Sequence, residues 1–247
     1  MLIQINKLLG YKVQSRSGEN IGKVDDFIFD DHSWTVRYLV VNTGSWLMQR
    51  QVLVSPVTIS NNDMNSDTVS VDMTREQIEN SPPIQKHLPV SRQKELELAR
   101  YYNWPMYWSD IPAALPEVVA PQPEFIDPSE MASDGKAIKG HDSQLRSIKK
   151  VTGYHIHATD GEIGKVNSFV VDSDNWIICY IVVDIGNIIN HKLVILPPAW
   201  TIRINWNDDT IYIDVNTKSV AHSPNFNSEK PPDRSLEKNV YGHDKQK

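Results

Sequence analysis

Two histidines separated by one residue, His155 and His157, have the best spacing for metal binding in this sequence of 247 residues. Side chains two positions apart on a β-strand lie on the same face, so both imidazoles would be presented together. Neutral imidazole is a common ligand of zinc and other transition metals. No third ligand is evident near them, and exposed histidines on a strand are the alternative interpretation.

Asp172 and Asp174 form a second group of potential ligands, in the segment Asp172–Asn175. A calcium loop of the EF-hand type needs Gly at its sixth position and Glu at its twelfth, where this chain has Ile177 and Val183. Asp and Asn side chains also accept hydrogen bonds from nearby backbone amides in turns, which is the alternative. No metal is assigned from the sequence, but both pairs are candidates for a metal- or small-ligand-binding sensor in the second half of the chain.

Catalytic and cofactor-binding motifs are not evident. Gly18 and the pair Gly22-Lys23 are one residue too close for a phosphate-binding loop, and no Ser or Thr follows the lysine. Cys179, the only cysteine, lies in an apolar strand where a buried thiol is usually inert. We therefore predict a protein that is not an enzyme, with no catalytic residues and no cofactor.

Composition, charge and the lack of a signal or membrane-spanning pattern predict a soluble cytoplasmic protein. A formal charge of -6 disfavours a general nucleic-acid binder, although the basic segment 136–150 leaves RNA as a less favoured partner. The longest apolar run, 177–183, is shorter than the ~20 residues that cross a bilayer, so no membrane insertion is expected. The first residues lack the pattern of a secretory signal.

The chain contains one pattern twice, at an offset of 142 residues. "GKVDDF" begins at Gly22 and "GKVNSF" begins at Gly164. The agreement continues through Trp34 and Trp176, Tyr38 and Tyr180, Val52 and Val194, and Pro56 and Pro198. Two repeats of this length indicate duplicated domains.

Each copy has the residue pattern of short strands. In the first copy we expect strands near 11–15, 21–29, 35–42, 51–55 and 69–73, because these runs are rich in β-branched and aromatic residues. A sheet of five or six strands avoids exposed edges by closing into a barrel. Short helices should follow, one from the capping box of Thr74 and Gln77 and one from Ser91.

We predict five segments. They are a first barrel at 1–84, a helical and aromatic extension at 85–108, an acidic, proline-rich linker with a basic segment at 109–147, a second barrel at 148–224, and a disordered tail at 225–247.

Two apolar clusters that do not repeat are the candidate partner-binding residues. They are Trp46, Leu47 and Met48, and the later group Trp104, Tyr107 and Trp108. Exposed apolar residues at a loop tip can anchor a partner. Packing against the other barrel is the alternative for the first cluster, and covering an open barrel edge is the alternative for the second.

The repeated motifs resemble the PRC-barrel family. They are "Gly-x-x-Ile-Gly-Lys-Val" from Gly18, "YLVVNTG" and "VLVSP", and in the second copy "GEIGKV", "YIVVDIG" and "VILPPAW". The family includes the cytoplasmic barrel of the photosynthetic reaction-centre H subunit and the C-terminal barrel of the ribosome maturation factor.

The resemblance covers residues 8–84 and 151–224, and it implies an all-β fold of two small PRC-like β-barrels. It also implies a scaffold function, in which the barrels dock onto a bacterial multiprotein complex. That complex would be an electron-transfer assembly like the reaction centre, or an RNA-processing or ribosome-assembly particle. A barrel of about 75 residues has marginal stability alone, so packing of the two barrels on each other or formation of a homodimer is a further expectation.

Overall fold

The computed structural model describes residues 1–63, 66–84, 90–108, 145–186 and 191–230. The strands of the first half are β1 (Leu2–Gln4), β2 (Lys12–Gln14), β3 (Asn20–Asp30), β4 (Thr35–Asn42), β5 (Gln51–Val54), β6 (Ile59–Asp63) and β7 (Thr68–Val71). Those of the second half are β8 (Leu145–Ser147), β9 (His155–Ala158), β10 (Gly161–Asp172), β11 (Ile178–Asp184), β12 (Leu193–Leu196), β13 (Thr201–Asn205) and β14 (Thr210–Ile213). The predicted all-β class is confirmed.

The helices are α1 (Arg75–Glu79), α2 (Arg92–Tyr102), α3 (Ile148–Val151) and α4 (Thr217–Ala221). Both predicted helix starts are confirmed. Thr74 and Gln77 form a reciprocal capping box, and the Ser91 hydroxyl accepts a hydrogen bond from the Lys94 amide. No helix in the described ranges is long and apolar enough to span a bilayer.

Two sheets with the same strand order contain most of these strands. The first has the order β5-β4-β3-β2-β7-β6, and the second has the order β12-β11-β10-β9-β14-β13. Neighbours are antiparallel except for β2 with β7 and β9 with β14. Within the described residues no ladder joins the two end strands of either sheet, so neither path closes through backbone hydrogen bonds.

The two sheets exchange their first strands. β1 pairs with β10 of the second sheet, through Leu2 with Asp172, and β8 pairs with β3 of the first sheet, through Leu145 with Asp30. Residues 1–4 were expected in the first barrel and residues 145–147 at the end of the linker. Each strand has only three residues, so its position depends on contacts with the other half of the chain.

One apolar core runs through both halves. The ring centroids of Phe29 and Phe169 are 5.9 Å apart, and those of Phe27 and Trp176 are 6.1 Å apart. The Val36 amide donates to the Trp176 carbonyl at 2.8 Å. The two halves therefore pack directly on each other.

The end of the described chain differs from the expected tail. Phe226 is 5% exposed, and its amide donates to the Leu193 carbonyl at 2.7 Å. The sequence predicts disorder from residue 225, but the Phe226 ring packs against apolar residues of the second sheet. The rest of the predicted tail, 231–247, and the linker at 109–144 lie outside the described residues.

Candidate interaction site

The two histidines lie on β9 with the expected alternation, but each ring has a nearby partner. His155 Nδ1 is 2.6 Å from a Glu162 carboxylate oxygen, and His157 Nδ1 is 3.0 Å from the Ala158 carbonyl oxygen. Where the structure describes the chain, no three His, Cys, Asp or Glu residues come together as metal ligands.

The two aspartates lie away from the histidines. Asp172 is the last residue of β10 and Asp174 follows it, whereas His155 of β9 pairs with Lys165, nearer the start of β10. Asp172 accepts a hydrogen bond from the Asp174 amide, and the Met1 ammonium lies 2.9 Å from Asp172 and 3.1 Å from Asp174. The structure thus shows the turn interpretation of this segment, and the four metal candidates do not form one site.

The first partner cluster divides into a packed part and an exposed part. Trp46 is half-buried, its Nε1 donates to the Ile21 carbonyl at 3.2 Å, and the Arg75 guanidinium lies 4.2 Å from its ring. Leu47 is also half-buried, whereas Met48 is 93% exposed. Only Met48 is fully presented to a partner.

The basic segment is partly neutralised by the first sheet. Arg146 lies 2.9 Å from Asp31, and Lys149 lies 2.6 Å from Asp25. The Arg146 pair holds the exchanged strand β8 beside the first sheet, and the Lys149 pair holds α3 there. Residues 136–144 of that segment lie outside the described residues.

Helix α2 covers the outer face of the first sheet. Leu98 of the helix is fully buried against Tyr38, Val40 and Leu53 of the sheet and Leu145 of β8. Trp104, just after the helix, packs on the same cluster, and its ring lies 6.2 Å from Tyr38. The helix ends at Tyr102, and the next residue, Asn103, adopts a left-handed conformation that turns the chain toward the aromatic group.

A buried carboxylate fixes the position of the aromatic group. Glu95 is 0% exposed, accepts hydrogen bonds from the hydroxyls of Tyr107 at 2.7 Å and Tyr38 at 3.2 Å, and lies 3.1 Å from the Arg92 guanidinium. Burial raises the pKa of Glu95, and burial together with the Glu95 charge raises the pKa of Tyr107. Both hydroxyls therefore stay protonated as donors at neutral pH.

The second cluster lines a cleft of about 570 Å³. One wall is Trp104, Tyr107 and Trp108, another comes from β4 and the segment 55–60, and a third is the turn 173–176 of the second half. We call this the aromatic cleft.

Arg37 also lines the aromatic cleft. Its guanidinium stacks on Tyr107 at 3.6 Å from the ring centroid, and its Nη2 donates to the Ser33 hydroxyl at 3.1 Å. Its Nε is buried and has no hydrogen-bond partner among the described residues, and its Nη2 lies 3.7 Å from an Asp30 carboxylate oxygen. The cleft thus places a paired guanidinium beside its aromatic surface.

Sequence reasoning found the three aromatic residues of the cleft but missed Arg37 and Glu95. The spacing of Glu95 and Leu98 places both on one helical face, which was the available signal. A charged residue on an apolar helical face predicts a buried polar contact.

Residues 1–78 match the family model described as the PRC-barrel domain. The match covers 78 of the 247 residues of the chain, and below we call residues 1–78 the PRC-barrel domain after this model. The resemblance is confirmed over this range, and such a domain suggests a protein-interaction module. No curated protein matches the chain. The PRC-barrel domain includes the Met48 loop and the β4 wall of the aromatic cleft, while the other walls come from the extension and the second half.

Proposed function

We propose that this protein is a non-enzymatic scaffold whose aromatic cleft binds an apolar or aromatic segment of a protein partner. The observation that carries the proposal is the union of Trp104, Tyr107, Trp108 and Arg37 in one concave site. Trp, Tyr and Arg are the residue types that contribute most to protein interfaces. The PRC-barrel domain supports an interaction function.

The size and rigidity of the aromatic cleft suit a side-chain anchor. Its volume of about 570 Å³ accommodates one or two large side chains of a partner. Tyr107 is held by Glu95 and stacked on Arg37, so little side-chain freedom is lost when a partner binds. The positive charge of Arg37, which is stacked on Tyr107, suits a carbonyl or carboxylate group next to the anchor.

Met48 supplies a second, smaller contact on the PRC-barrel domain. Its side chain is exposed at the tip of the loop between β4 and β5, where a flexible thioether adapts to irregular apolar surfaces. Family resemblance suggests the wider setting, a cytoplasmic bacterial complex for electron transfer, RNA processing or ribosome assembly. The docking role itself requires no catalytic group.

The test is quantitative affinity capture from native lysate with four forms of the full chain. We expect the intact protein to retain a defined partner, Trp108→Ala to lose it, and Trp108→Phe to recover part of it. Ile202→Ala is the control, because Ile202 is 61% exposed on the second sheet and does not line the aromatic cleft. Equal capture by Trp108→Ala and the intact protein, with both folded by circular dichroism, would contradict the proposed site.

A further inference from the structure

The wall formed by Trp104, Tyr107 and Trp108, here called the aromatic wall, presents hydrogen-bond donors to the aromatic cleft. Trp104 and Trp108 are half-buried, and their indole N–H groups donate to no other described residue. Neither nitrogen is a buried atom that lacks a partner, so both N–H groups reach solvent. Because an indole N–H can only donate, the wall suits a partner that brings carbonyl oxygens to it.

The other polar groups on this wall do not add acceptors. The Tyr107 hydroxyl donates to Glu95 at 2.7 Å and accepts from Arg92 Nη1 at 3.1 Å, so both of its hydrogen-bonding functions are used inside the protein. Arg37 stacks on the Tyr107 ring, and a guanidinium has no acceptor. An ordinary extended peptide would bury its backbone N–H groups against this wall without partners, which is unfavourable for each such group.

Charge restricts the partner further. Among the residues that line the aromatic cleft, only Arg37 and Asp174 are charged. Each has a counter-ion, since Arg37 Nη2 lies 3.7 Å from Asp30 and Asp174 lies 3.1 Å from the Met1 ammonium. The lining therefore has no net charge and favours an uncharged segment over a basic or acidic one. Of the two groups that suit Arg37, a carbonyl fits this balance better than a carboxylate.

We propose that the aromatic cleft binds a proline-rich segment of the partner in the polyproline II conformation, an inference that rests on the proposed function. Proline has no backbone N–H, so such a segment offers carbonyl acceptors to the indoles and leaves few donors unpaired. The Tyr107 and Trp108 rings stand at 89° to each other with centroids 4.8 Å apart, and this corner receives the compact proline ring. The conformation is preformed in the free segment, and aromatic-lined grooves recur as its binding sites.

The indole N–H groups provide a direct measurement. The full chain has seven tryptophans, so a 1H–15N spectrum of the 15N-labelled protein contains seven indole signals, which Trp→Phe variants assign. Titration with acetylated and amidated decaproline is expected to shift the signals of Trp104 and Trp108 in a saturable way. The signal of Trp206, which packs on Tyr154 and does not line the aromatic cleft, should stay in place.

Variants of the full chain connect the shifts to the aromatic cleft. Trp108→Ala should weaken decaproline binding at least about tenfold, as expected for an interface tryptophan. Trp108→Phe should weaken it less, because the aromatic ring remains and only the N–H donor is lost. Ile202→Ala is the control and should bind like the intact protein, since Ile202 does not line the aromatic cleft. The remaining indole signals show whether each variant is folded.

A second peptide separates this inference from the proposed function. A ten-residue Gly-Ser peptide with Phe-Leu at its centre carries an apolar anchor and backbone N–H groups but no proline. If this peptide shifts the Trp104 and Trp108 signals and decaproline does not, or if the two bind equally well, the proline-rich occupant is overturned and the proposed function stands. Decaproline binding that Trp108→Ala leaves unchanged, or no shift with either peptide, also overturns the inference, while affinity capture decides the proposed function separately.

Discussion

Replacement of Gly22 by Ala tests why the repeated "GKV" motif begins with glycine. Gly22 has a φ of 150°, and a Cβ built there lies 2.9 Å from both the Asn42 carbonyl carbon and Val41 Cγ1, with the Asn42 oxygen closer still. Gly164 has a φ of 154° and meets the backbone of Asp184 in the same way. In each half, the neighbouring strand therefore passes directly over the glycine: β4 over Gly22 and β11 over Gly164.

The expected cost has two parts. An alanine at this φ costs about 1–3 kcal/mol of backbone strain. Moving the Asn42 backbone away costs about 1–3 kcal/mol more, as in other overpacked cores. The sum of about 2–6 kcal/mol is a large share of a typical free energy of unfolding of about 5–15 kcal/mol.

Gly10→Ala separates the two contributions. Gly10 has a φ of 84°, and nothing lies within 4 Å of its built Cβ, so it carries only the strain of about 1–2 kcal/mol. Urea unfolding followed by far-UV circular dichroism measures both variants. If Gly22→Ala loses no more stability than Gly10→Ala, the close approach of Asn42 does not explain the glycine.

Three further predictions follow from named contacts. Asp26→Ala removes the acceptor of the Ser147 hydroxyl on β8 and of the Lys149 amide in α3, so urea unfolding should show a loss of about 1–3 kcal/mol in the free energy of unfolding. Asp25→Ala removes a partly exposed ion pair with Lys149 and a hydrogen bond from Gln51 and should cost less, so equal losses would contradict this role of Asp26. Burial raises the folded-state pKa of Glu95 above its ordinary value, so the free energy of unfolding should fall as pH rises from the ordinary pKa through the raised one. Glu95→Gln should flatten this dependence of stability on pH. Identical slopes in the two proteins would refute the raised pKa of Glu95. Zinc should leave the melting temperature unchanged, because no third ligand joins His155 and His157 among the described residues. A zinc-dependent rise in melting temperature that His157→Ala abolishes would instead support the sensor hypothesis.

Much of the fold follows from local pattern. The predicted strand at 35–42 coincides with β4, and the one at 51–55 differs from β5 by a single residue. The Thr74 capping box and the Ser91 cap set the starts of both helices. These features depend on side-chain alternation and on contacts within a few residues, which a single sequence displays.

The strand exchange could not be predicted in this way. Residues 2–4 and 145–147 are too short to show a period, and their partners lie more than 100 positions away in the chain. The aromatic cleft was predicted only in part for the same reason. Arg37 and Glu95 meet Tyr107 because α2 lies across the first sheet, which no local pattern specifies.

The exchange also bears on how the protein could bind a partner. Separating the halves would break the ladders of β1 with β10 and of β8 with β3, and would expose the packed rings of Phe29 and Phe169 to water. Because this separation is unfavourable, the turn 173–176 of the second half stays opposite the first-half wall of the aromatic cleft. A cleft made from both halves of a swapped fold therefore keeps its shape before a partner arrives. Preorganisation of this kind lowers the entropy lost on binding, so a small cleft can anchor a partner without a large interface.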